Sequence, residues 1–470
     1  MNTNNNESFR DSIGTINEEG LRNWIHPKKP KGKYYNYRTI VSVVMLILFA
    51  IGPFIKVNGE QFMLFNILER KFHIFGRPFF PQDFYLLALA AVISVVFLVL
   101  FTVVYGRIFC GWLCPQTIFM EMLFRKIEYF FEGDRPKQMK LDRMPWNAEK
   151  IRKRGVKRVV FYIVSLIITS IMLAYVAGSD YVIDFWKHPF ADVKAWLIYL
   201  AFTTVFFFVF SWFREQVCII ACPYGRLQGV LTDENTIMVA YDNIRGEGKT
   251  GRAPMRKNED REAAGHGDCI DCKQCVLVCP TGIDIRNGTQ LECINCTACM
   301  DACDATMDAI GKPRGLIRYA SKVSIEEGHG KIFTGRVKFY TLILTVLIGI
   351  FISLFANRPT VDLKVLRVRG QTFTELPDGN IRNYYNATII NKSNQTYQNL
   401  EVKALNKDAK TTVSGDESKL NLKKEEVKQV LIFVDMPKGK VIGKKKIKLG
   451  IYKDGKKLDT YKTVFIAPAR

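Results

Sequence analysis

The chain has 470 residues, with 67 lysines and arginines against 45 aspartates and glutamates, so its formal net charge is +22. A chain of this length predicts several structural units rather than one. Hydrophobic residues make up 48% of the chain and are gathered into long uncharged runs, which excludes an intrinsically disordered protein. Its size also excludes a small secreted protein stapled by disulfides, although it contains 12 cysteines.

Five uncharged runs are long enough to cross the hydrocarbon core of a membrane, which is about 30 Å thick. For any one run the alternative is a buried core helix. Five of them together, flanked by basic residues, predict a bundle of five transmembrane helices and argue against a single soluble domain. The runs cover residues 39–55, 84–105, 159–177, 196–213 and 339–356.

Lysine and arginine are unevenly distributed over the segments between these runs. The counts are seven in 1–38, 13 in 106–158 and 17 in 214–338, against four in 56–83 and two in 178–195. The positive-inside rule therefore predicts a multi-pass inner-membrane protein whose three richest segments are cytoplasmic. Residues 357–470 are then periplasmic, and their 24 basic residues are no objection because long domains translocate largely regardless of charge. No motif for nucleic acid is present, so nucleic acid is not an expected partner.

These observations predict a multi-domain protein. Its parts are an N-terminal tail 1–38, four transmembrane helices in 39–213, a cytoplasmic segment 214–338, a fifth transmembrane helix 339–356 and a periplasmic domain 357–470.

Eight cysteines between the fourth and fifth runs repeat one spacing, C-x2-C-x2-C-x3-C. This duplication is typical of ferredoxins with two clusters, in which the fourth cysteine of each run serves the other cluster. It predicts two [4Fe–4S] clusters in a ferredoxin-like core at about 260–312. The predicted ligands are Cys269, Cys272, Cys275 and Cys303 for the first cluster, and Cys293, Cys296, Cys299 and Cys279 for the second.

Zinc sites and disulfides are the alternatives for these eight cysteines. Zinc motifs usually separate two CxxC pairs by a longer spacer, and a cytoplasmic location disfavours disulfides. Asp304 replaces the proline usually found after the last cysteine, which predicts an altered turn there. Gly282 suits a tight turn close to a cluster, where a larger side chain would crowd it.

The other four cysteines form two CxxxCP motifs, each at the cytoplasmic end of a run and preceded by an arginine. They are Cys110 and Cys114 after Arg107, and Cys218 and Cys222 after Arg214. A spacing of four predicts that the two sulfurs of a pair share one helix face, and the following proline predicts that the helix ends or kinks at the second cysteine.

Four soft thiolates at the membrane edge would select Cu(I) or an iron–sulfur centre over hard cations. Arg107 and Arg214 are expected to favour the thiolate form. The motifs therefore predict a copper site or a redox-active dithiol site, and the alternative is free cysteines packed as small apolar side chains. The five histidines lie outside the runs, so paired haem ligation across the bilayer is not expected.

Residues 360–470 change to short strand-like runs separated by polar turns. Asp454 and Gly455 between two such runs predict a hairpin. A stretch of roughly 110 residues with this pattern predicts an immunoglobulin-like β-sandwich. The stretch contains no cysteine or histidine, so we expect a docking or stabilising module that binds no soft metal by itself.

Five motifs follow one another in the chain, namely GRIFCGWLCPQ, REQVCIIACPYGRLQ, DCIDCKQCVLVCPTGIDIRNG, ECINCTACMDAC and KPRGLIRY. With these motifs, the order of the parts from residue 25 onward resembles the cytochrome c oxidase accessory proteins of the CcoG/FixG/RdxA type. The resemblance implies a membrane-bound iron–sulfur protein that reduces Cu(II) to Cu(I) for copper delivery and assembly of cbb3-type cytochrome c oxidase. It implies that the eight cysteines hold the clusters and that Cys110, Cys114, Cys218 and Cys222 form the transient copper or redox site.

The expected partners are the membrane, copper ions, a cytoplasmic electron donor, and copper-delivery or oxidase assembly proteins. Two other functions stay open beside this cupric reductase activity. One is a quinol-linked respiratory electron-transfer subunit similar to NapH and NosR. The other is a non-enzymatic scaffold that binds oxidase subunits through the sandwich and uses the clusters as structural staples. Both a monomer and a homo-oligomer are compatible with the sequence.

Overall fold

The computed structural model describes residues 15–16, 19, 21–66, 71–189, 191–256, 260–393, 395–414 and 420–468. Part of the predicted tail 1–38 therefore lies outside the described residues. The chain forms two compact units. The first comprises Met1–Gly52, Ala90–Leu173 and Asp180–Ile348, and the second comprises Pro53–Leu89, Ala174–Ser179 and Gly349–Arg470.

The described residues contain the following α-helices: α1 Lys33–Ile51, α2 Phe84–Tyr105, α3 Ile108–Trp112, α4 Pro115–Thr117, α5 Arg125–Phe131, α6 Arg135–Arg143, α7 Ala148–Ala177, α8 Ser179–Lys187, α9 Val193–Phe208, α10 Pro223–Leu231, α11 Asn243–Glu247, α12 Gln274–Leu277, α13 Ala298–Ala309, α14 Lys322–Glu326 and α15 Gly335–Ala356. Three segments are π-helical, namely Ile118–Phe124, Val209–Phe213 and Val217–Ala221.

The strands are β1 Lys56–Val57, β2 Glu60–Gln61, β3 Met63–Asn66, β4 Lys71–Ile74, β5 Arg77–Phe79, β6 Met238–Tyr241, β7 Ile317–Ala320, β8 Val361–Arg367, β9 Thr374–Glu375, β10 Asn380–Asn391, β11 Tyr397–Ala404, β12 Lys410–Val413, β13 Leu420–Leu422, β14 Val427–Pro437, β15 Lys444–Lys453 and β16 Lys456–Ile466.

Five helical segments in the described residues are long and apolar enough to cross a membrane, which confirms the predicted number. They are Lys33–Ile51, Pro81–Tyr105, Ala148–Ala177, Val193–Phe213 and Gly335–Ala356. Most of their apolar side chains are not buried within the protein, so lipid rather than protein would cover them.

The first of these helices starts and ends earlier than the sequence predicted. The uncharged run covers 39–55, but α1 covers Lys33–Ile51 and stops just before Gly52 and Pro53. Gly52 still has helical backbone angles, but Pro53 has no backbone N–H with which to continue the helix hydrogen bonds, which explains the early end. At the start, the Asp301 carboxylate accepts hydrogen bonds from the backbone N–H groups of Tyr34 and Tyr35, at 3.0 and 2.7 Å. These bonds satisfy the unpaired donors of the first turn, so the helix extends into a polar stretch.

The cysteine-rich segment between β6 and β7 consists of two similar halves, each with a cysteine loop followed by a helix, α12 or α13. In the first loop Asp271 and Lys273 have positive φ, at 51° and 56°. Asn295 and Thr297 occupy the equivalent positions of the second loop, at 52° and 64°. Left-handed residues alternating with right-handed ones form concavities lined by backbone N–H groups, which suit an anionic group.

The two halves differ after their last cysteines. In the first half α12 ends at Leu277, before Cys279 and Pro280, whereas α13 runs through Cys303 and Asp304 to Ala309. Aspartate keeps the backbone N–H that proline lacks, so the second helix continues. The altered turn predicted at Asp304 is therefore an uninterrupted helix, and Asp304 Oδ1 also accepts a hydrogen bond from Gly315 N at 2.9 Å.

The predicted turn at Gly282 is present, and the side chain nearest to this glycine belongs to Ile25. Gly282 has a φ of 73°, which favours glycine. A Cβ at this position would lie 2.8 Å from Ile25 Cδ1. The crowding predicted for a larger side chain therefore comes from the N-terminal segment.

Residues 361–466 form two antiparallel sheets. One has the order β12–β14–β10–β8 with β9 beside β10, and the other has the order β13–β11–β15–β16. Side chains from both sheets form one buried apolar core, which includes Leu363, Ile432, Leu449 and Phe465. Asp454 and Gly455 join β15 to β16 with φ values of 48° and 78°, as the predicted hairpin requires. The immunoglobulin-like fold is thus confirmed.

The rest of the second unit is built around a buried carboxylate. The loop between α1 and α2 folds into the β1–β2 pair and the three-stranded sheet β3–β4–β5. At its end, Asp83 is fully buried and contacts Arg358 at 2.6 Å and Lys392 at 2.7 Å. Removing one partner of a buried ion pair typically costs about 3–5 kcal/mol, so Asp83 fastens this loop to the chain that follows α15.

Candidate metal centre

Two cavities lie inside the cysteine-rich segment. Each is lined by three cysteines of one run together with the fourth cysteine of the other run. The first cavity is lined by Cys269, Cys272, Cys275 and Cys303, and the second by Cys279, Cys293, Cys296 and Cys299, with Cys275 also at its edge. The fold therefore brings together the two crossed sets expected from the spacing.

The chemistry of both cavities fits a [4Fe–4S] cluster. Four cysteine sulfurs line each cavity as soft donors, and the remaining walls include the apolar side chains of Ile285 and Ile317. Burial raises the pKa of Cys293 to about 12 and that of Cys296 to about 11, so both thiols are neutral at pH 7 without metal. Binding of a metal group would release their protons.

All 12 cysteines lie within the described residues, and all are free thiols. The disulfide alternative therefore has no support in this structure. The four cysteines of the CxxxCP motifs are partly buried rather than exposed.

The two CxxxCP motifs have similar backbones. Cys110 lies in α3 and Cys218 in the π-helical turn Val217–Ala221, whereas Cys114 and Cys222 have extended conformations directly before prolines that start α4 and α10. The prediction that the helix ends at each second cysteine is confirmed. The prediction that both sulfurs of a pair share one helix face is wrong, because the residue before proline is driven out of helical geometry.

The structure brings the four cysteines of both motifs together. Cys218 interacts electrostatically with Cys110, Cys114 and Cys222, and Cys110 interacts with Cys114 and Cys222. Gln228 Nε2 donates a hydrogen bond to Cys110 Sγ at 3.4 Å. Cysteine spacing does not reveal Gln228, which lies on α10, six residues after Cys222.

Arg107 and Arg214 do not give these cysteines a low pKa. Burial raises the pKa of Cys110 to about 11, and hydrogen bonding to Gln228 and the charge of Arg107 only partly oppose this effect. Burial likewise raises the pKa of Cys218 to about 12. The charge of Arg107 favours the thiolate of Cys110 as predicted, but burial outweighs it in the metal-free protein.

The two arginines instead tie neighbouring segments together. The Arg107 guanidinium donates hydrogen bonds to the backbone oxygens of Leu291 and Gly225. Arg214 pairs with Glu128 at 2.6 Å, and both side chains are almost fully buried. Burial alone would raise the pKa of Glu128, but Arg214 and neighbouring cations outweigh this effect and lower it.

Gly111, inside the first CxxxC motif, joins that motif to the second cavity. A Cβ at Gly111 would lie 2.5 Å from the backbone oxygen of Ile294, which directly follows Cys293. Next to it, Cys110 packs against the buried apolar cluster that contains Ile294 and Cys296. The first motif and the second cavity therefore share one packed layer. The sequence showed the glycine but gave no sign of this contact.

Three family models match the chain. A "4Fe-4S dicluster domain" matches residues 213–322, which include ten of the cysteines, and a "4Fe-4S binding domain" matches residues 87–137, which include Cys110 and Cys114. An "IG-like fold at C-terminal of FixG" matches residues 351–468. The matches support iron–sulfur clusters over zinc in the cysteine-rich segment.

Protein RdxA of Cereibacter sphaeroides is 37% identical to this chain over 391 residues, which cover 79% of the chain and 80% of RdxA. The chain belongs to the RdxA and FixG family. The nitrogen fixation protein FixG of Rhizobium meliloti is 31% identical over 465 residues, covering 89% of the chain and 87% of FixG. A solved structure of a FixG-related protein from Vibrio parahaemolyticus covers 23% of the chain and 97% of its own length, with 21% identity and a TM-score of 0.20.

Family membership and the 4Fe–4S domains identify the general activity. This RdxA/FixG family member is a membrane-associated iron–sulfur protein of electron transfer, with oxidoreductase-type chemistry.

Proposed function

We propose that this protein takes electrons from a cytoplasmic donor and reduces Cu(II) to Cu(I), for copper delivery and assembly of cbb3-type cytochrome c oxidase. The observation that carries the proposal is the packed layer shared by the first CxxxC motif and the second cysteine-lined cavity. A sulfur-rich site for a soft metal in direct contact with an electron carrier is what one-electron metal reduction requires.

In this proposal Cys269, Cys272, Cys275 and Cys303 hold one cluster, and Cys279, Cys293, Cys296 and Cys299 hold the other. When bound, each cluster takes up and passes on one electron at a time. The chain provides contact along the whole route. Cys275 borders both cavities, and Cys110 packs against the residues around Cys296.

Copper is the substrate of the proposed reaction. Cys110, Cys114, Cys218 and Cys222 supply soft sulfur donors, which bind Cu(I) better than hard cations. Cu(II) accepts one electron and no atom is transferred, so each copper ion consumes one electron from the donor. The sulfur ligands then retain Cu(I) until a copper-delivery protein or an oxidase assembly protein removes it.

The proposal places segment 214–338 in the cytoplasm and residues 357–470 in the periplasm of a bacterial inner membrane. The excess of lysine and arginine in 1–38, 106–158 and 214–338 supports this orientation. The electron donor then reaches the clusters from the cytoplasm, where reductants are available.

Replacing Cys110, Cys114, Cys218 and Cys222 by serine tests the copper role. The purified protein is reduced anaerobically, Cu(II) is added, and Cu(I) is measured with a chromogenic chelator. We expect the rate to fall to that of buffer while the iron–sulfur absorbance persists, because the clusters have their own ligands. The control variant Met255→Ser removes an exposed sulfur outside the motifs and should leave the rate unchanged.

Three other results would contradict the proposed copper reduction or indicate a different function. Unchanged Cu(II) reduction in the serine variant would remove the copper role from the CxxxCP motifs. Quinol-dependent reduction of the clusters, without any effect of copper on oxidase activity, would indicate a respiratory electron-transfer subunit. Normal oxidase assembly by folded variants that lack cluster ligands would indicate a scaffold.

A further inference from the structure

Three metal-ligating side chains from separate parts of the second unit meet at one place. One ligand atom from each of Glu60, His73 and Glu425 lies within 4.8 Å of the other two. Glu60 belongs to β2 and His73 to β4, whereas Glu425 lies in the turn between β13 and β14. All 12 cysteines belong to the first unit, so this cluster is separate from the sulfur sites.

His73 is buried and Glu425 is half-buried, and each of the two side chains has a polar atom without a hydrogen-bond partner among the described residues. The His73 side chain is only 3% exposed, and its Nε2 lies 3.3 Å from Glu425 Oε2. The second polar atom of each group, His73 Nδ1 and Glu425 Oε1, is also buried and has no hydrogen-bond partner among the described residues. Buried polar atoms nearly always have partners, so two orphaned atoms in one cluster indicate that a ligand supplies the missing interactions.

Glu60 gives the cluster a route to solvent. Its side chain is 33% exposed, and its Oε1 lies 3.0 Å from Lys424 Nζ. Lys424 also donates a hydrogen bond to the backbone oxygen of Asn58 at 2.9 Å. The lysine cation therefore occupies a position where it competes with any metal ion for the Glu60 carboxylate.

We propose that Glu60, His73 and Glu425 bind a divalent transition-metal ion of the Cu(II) and Zn(II) class. One imidazole and two carboxylates suit these ions, whereas Mg(II) and Ca(II) prefer oxygen ligands alone. The two carboxylates together neutralise the charge of a divalent ion. The sandwich has no histidine of its own, and the site obtains its imidazole from the loop between α1 and α2. The proposal does not rest on copper reduction by the cysteines.

Electron paramagnetic resonance of the oxidised, full-length protein with one equivalent of Cu(II) tests the site. Oxidised [4Fe–4S] clusters give no paramagnetic resonance signal, and neither does Cu(I) that thiols produce by reducing the added Cu(II). The signal therefore reports Cu(II) bound outside the cysteines. We expect a signal with nitrogen coupling from one imidazole, which His73→Gln abolishes. The matched control His188→Gln, which changes a histidine whose side chain is 68% exposed, should keep the signal.

A second variant keeps the test valid if His73→Gln does not fold. Removing the competing cation by Lys424→Met should raise the Cu(II) affinity about two- to fivefold, the range expected for an exposed ion pair. Lys438→Met, which removes another exposed lysine paired with a glutamate, should leave the affinity unchanged. An excess of Mg(II) should not displace the Cu(II).

Two results would overturn the site. One is an imidazole-coupled Cu(II) signal in folded His73→Gln that equals the signal of the unmodified protein. The other is a Cu(II) affinity that Lys424→Met leaves unchanged. The three side chains would then form a structural ion pair only.

Discussion

Gly111 and Gly225 allow the two CxxxCP motifs to approach their neighbours. A Cβ at Gly225 would lie 2.8 Å from the backbone oxygen of Cys218, and one at Gly111 would lie still closer to the oxygen of Ile294. Backbone oxygens cannot rotate away as the end of a long side chain can. The two glycines are therefore part of the geometry that gathers the sulfurs, although neither carries a functional group.

Gly111→Ala should separate the first motif from the second cavity. The methyl group forces the loop with Cys293 and Cys296 to move, and such overpacking typically costs about 1–3 kcal/mol. We expect the iron–sulfur absorbance to be lost at a lower temperature and Cu(II) reduction to slow. Gly155→Ala is the matched control, because Gly155 lies in α7 with nothing within 4 Å of its Cβ position, and alanine there should stabilise by about 0.5–1 kcal/mol. Equal thermal stability of Gly111→Ala and the unmodified protein would contradict the packing argument.

Helices α12 and α13 show how one substitution changes an element. The two halves share their cysteine spacing and their left-handed loop residues, yet α12 has four residues and α13 has 12. The longer helix carries Asp301, whose carboxylate receives the first N–H groups of α1. The second half is thereby connected to the first membrane-spanning helix, and the first half has no equivalent contact among the described residues.

Asp304→Pro should disrupt α13. Proline at this interior position removes a helix hydrogen bond and clashes with the carbonyl of residue 300, at a cost of about 3 kcal/mol or more. We expect the variant to lose its iron–sulfur absorbance at a markedly lower temperature. Asp304→Asn keeps the oxygen that accepts from Gly315 and should behave as the unmodified protein does. If the proline variant is as stable as the unmodified protein, the part of α13 beyond Cys303 is not required for stability.

At the scale of the whole molecule, one of the five candidate membrane-spanning helices, α15, lies between segment 214–338 and the sandwich along the chain. In the proposed orientation, which rests on charge counts in the connecting segments, this one span would put residues 214–338 and 357–470 on opposite sides of the membrane. This arrangement would present the cluster segment to a cytoplasmic donor and the sandwich to periplasmic partners.

Reporter fusions test this orientation. Alkaline phosphatase, which is active only in the periplasm, should be inactive when fused after Lys331, before α15, and active when fused after Pro359, beyond it. Green fluorescent protein fused at the same two positions should show the opposite pattern, because it fluoresces in the cytoplasm but not after export through the general secretion pathway. Phosphatase activity at Lys331 would reverse the proposed orientation.

The sequence by itself determined the five membrane-spanning helices, the immunoglobulin-like sandwich and the iron–sulfur family. It also identified all 12 cysteines, whose roles as ligands stay a prediction. These features are readable because they depend on local properties, namely the length of uncharged runs, the spacing of cysteines and the residues of a tight turn.

Only the tertiary structure decided how distant residues meet. It brought Cys110 close to Cys218 and placed Gly111 against Ile294. It also paired Arg214 with Glu128 and brought together the side chains of Glu60, His73 and Glu425. It also overturned the single helix face expected for the CxxxCP motifs, and it buried their thiols enough to outweigh the charge of Arg107. Burial and contact between residues far apart in the chain follow from the packing of the whole chain, and local spacing carries no information about either.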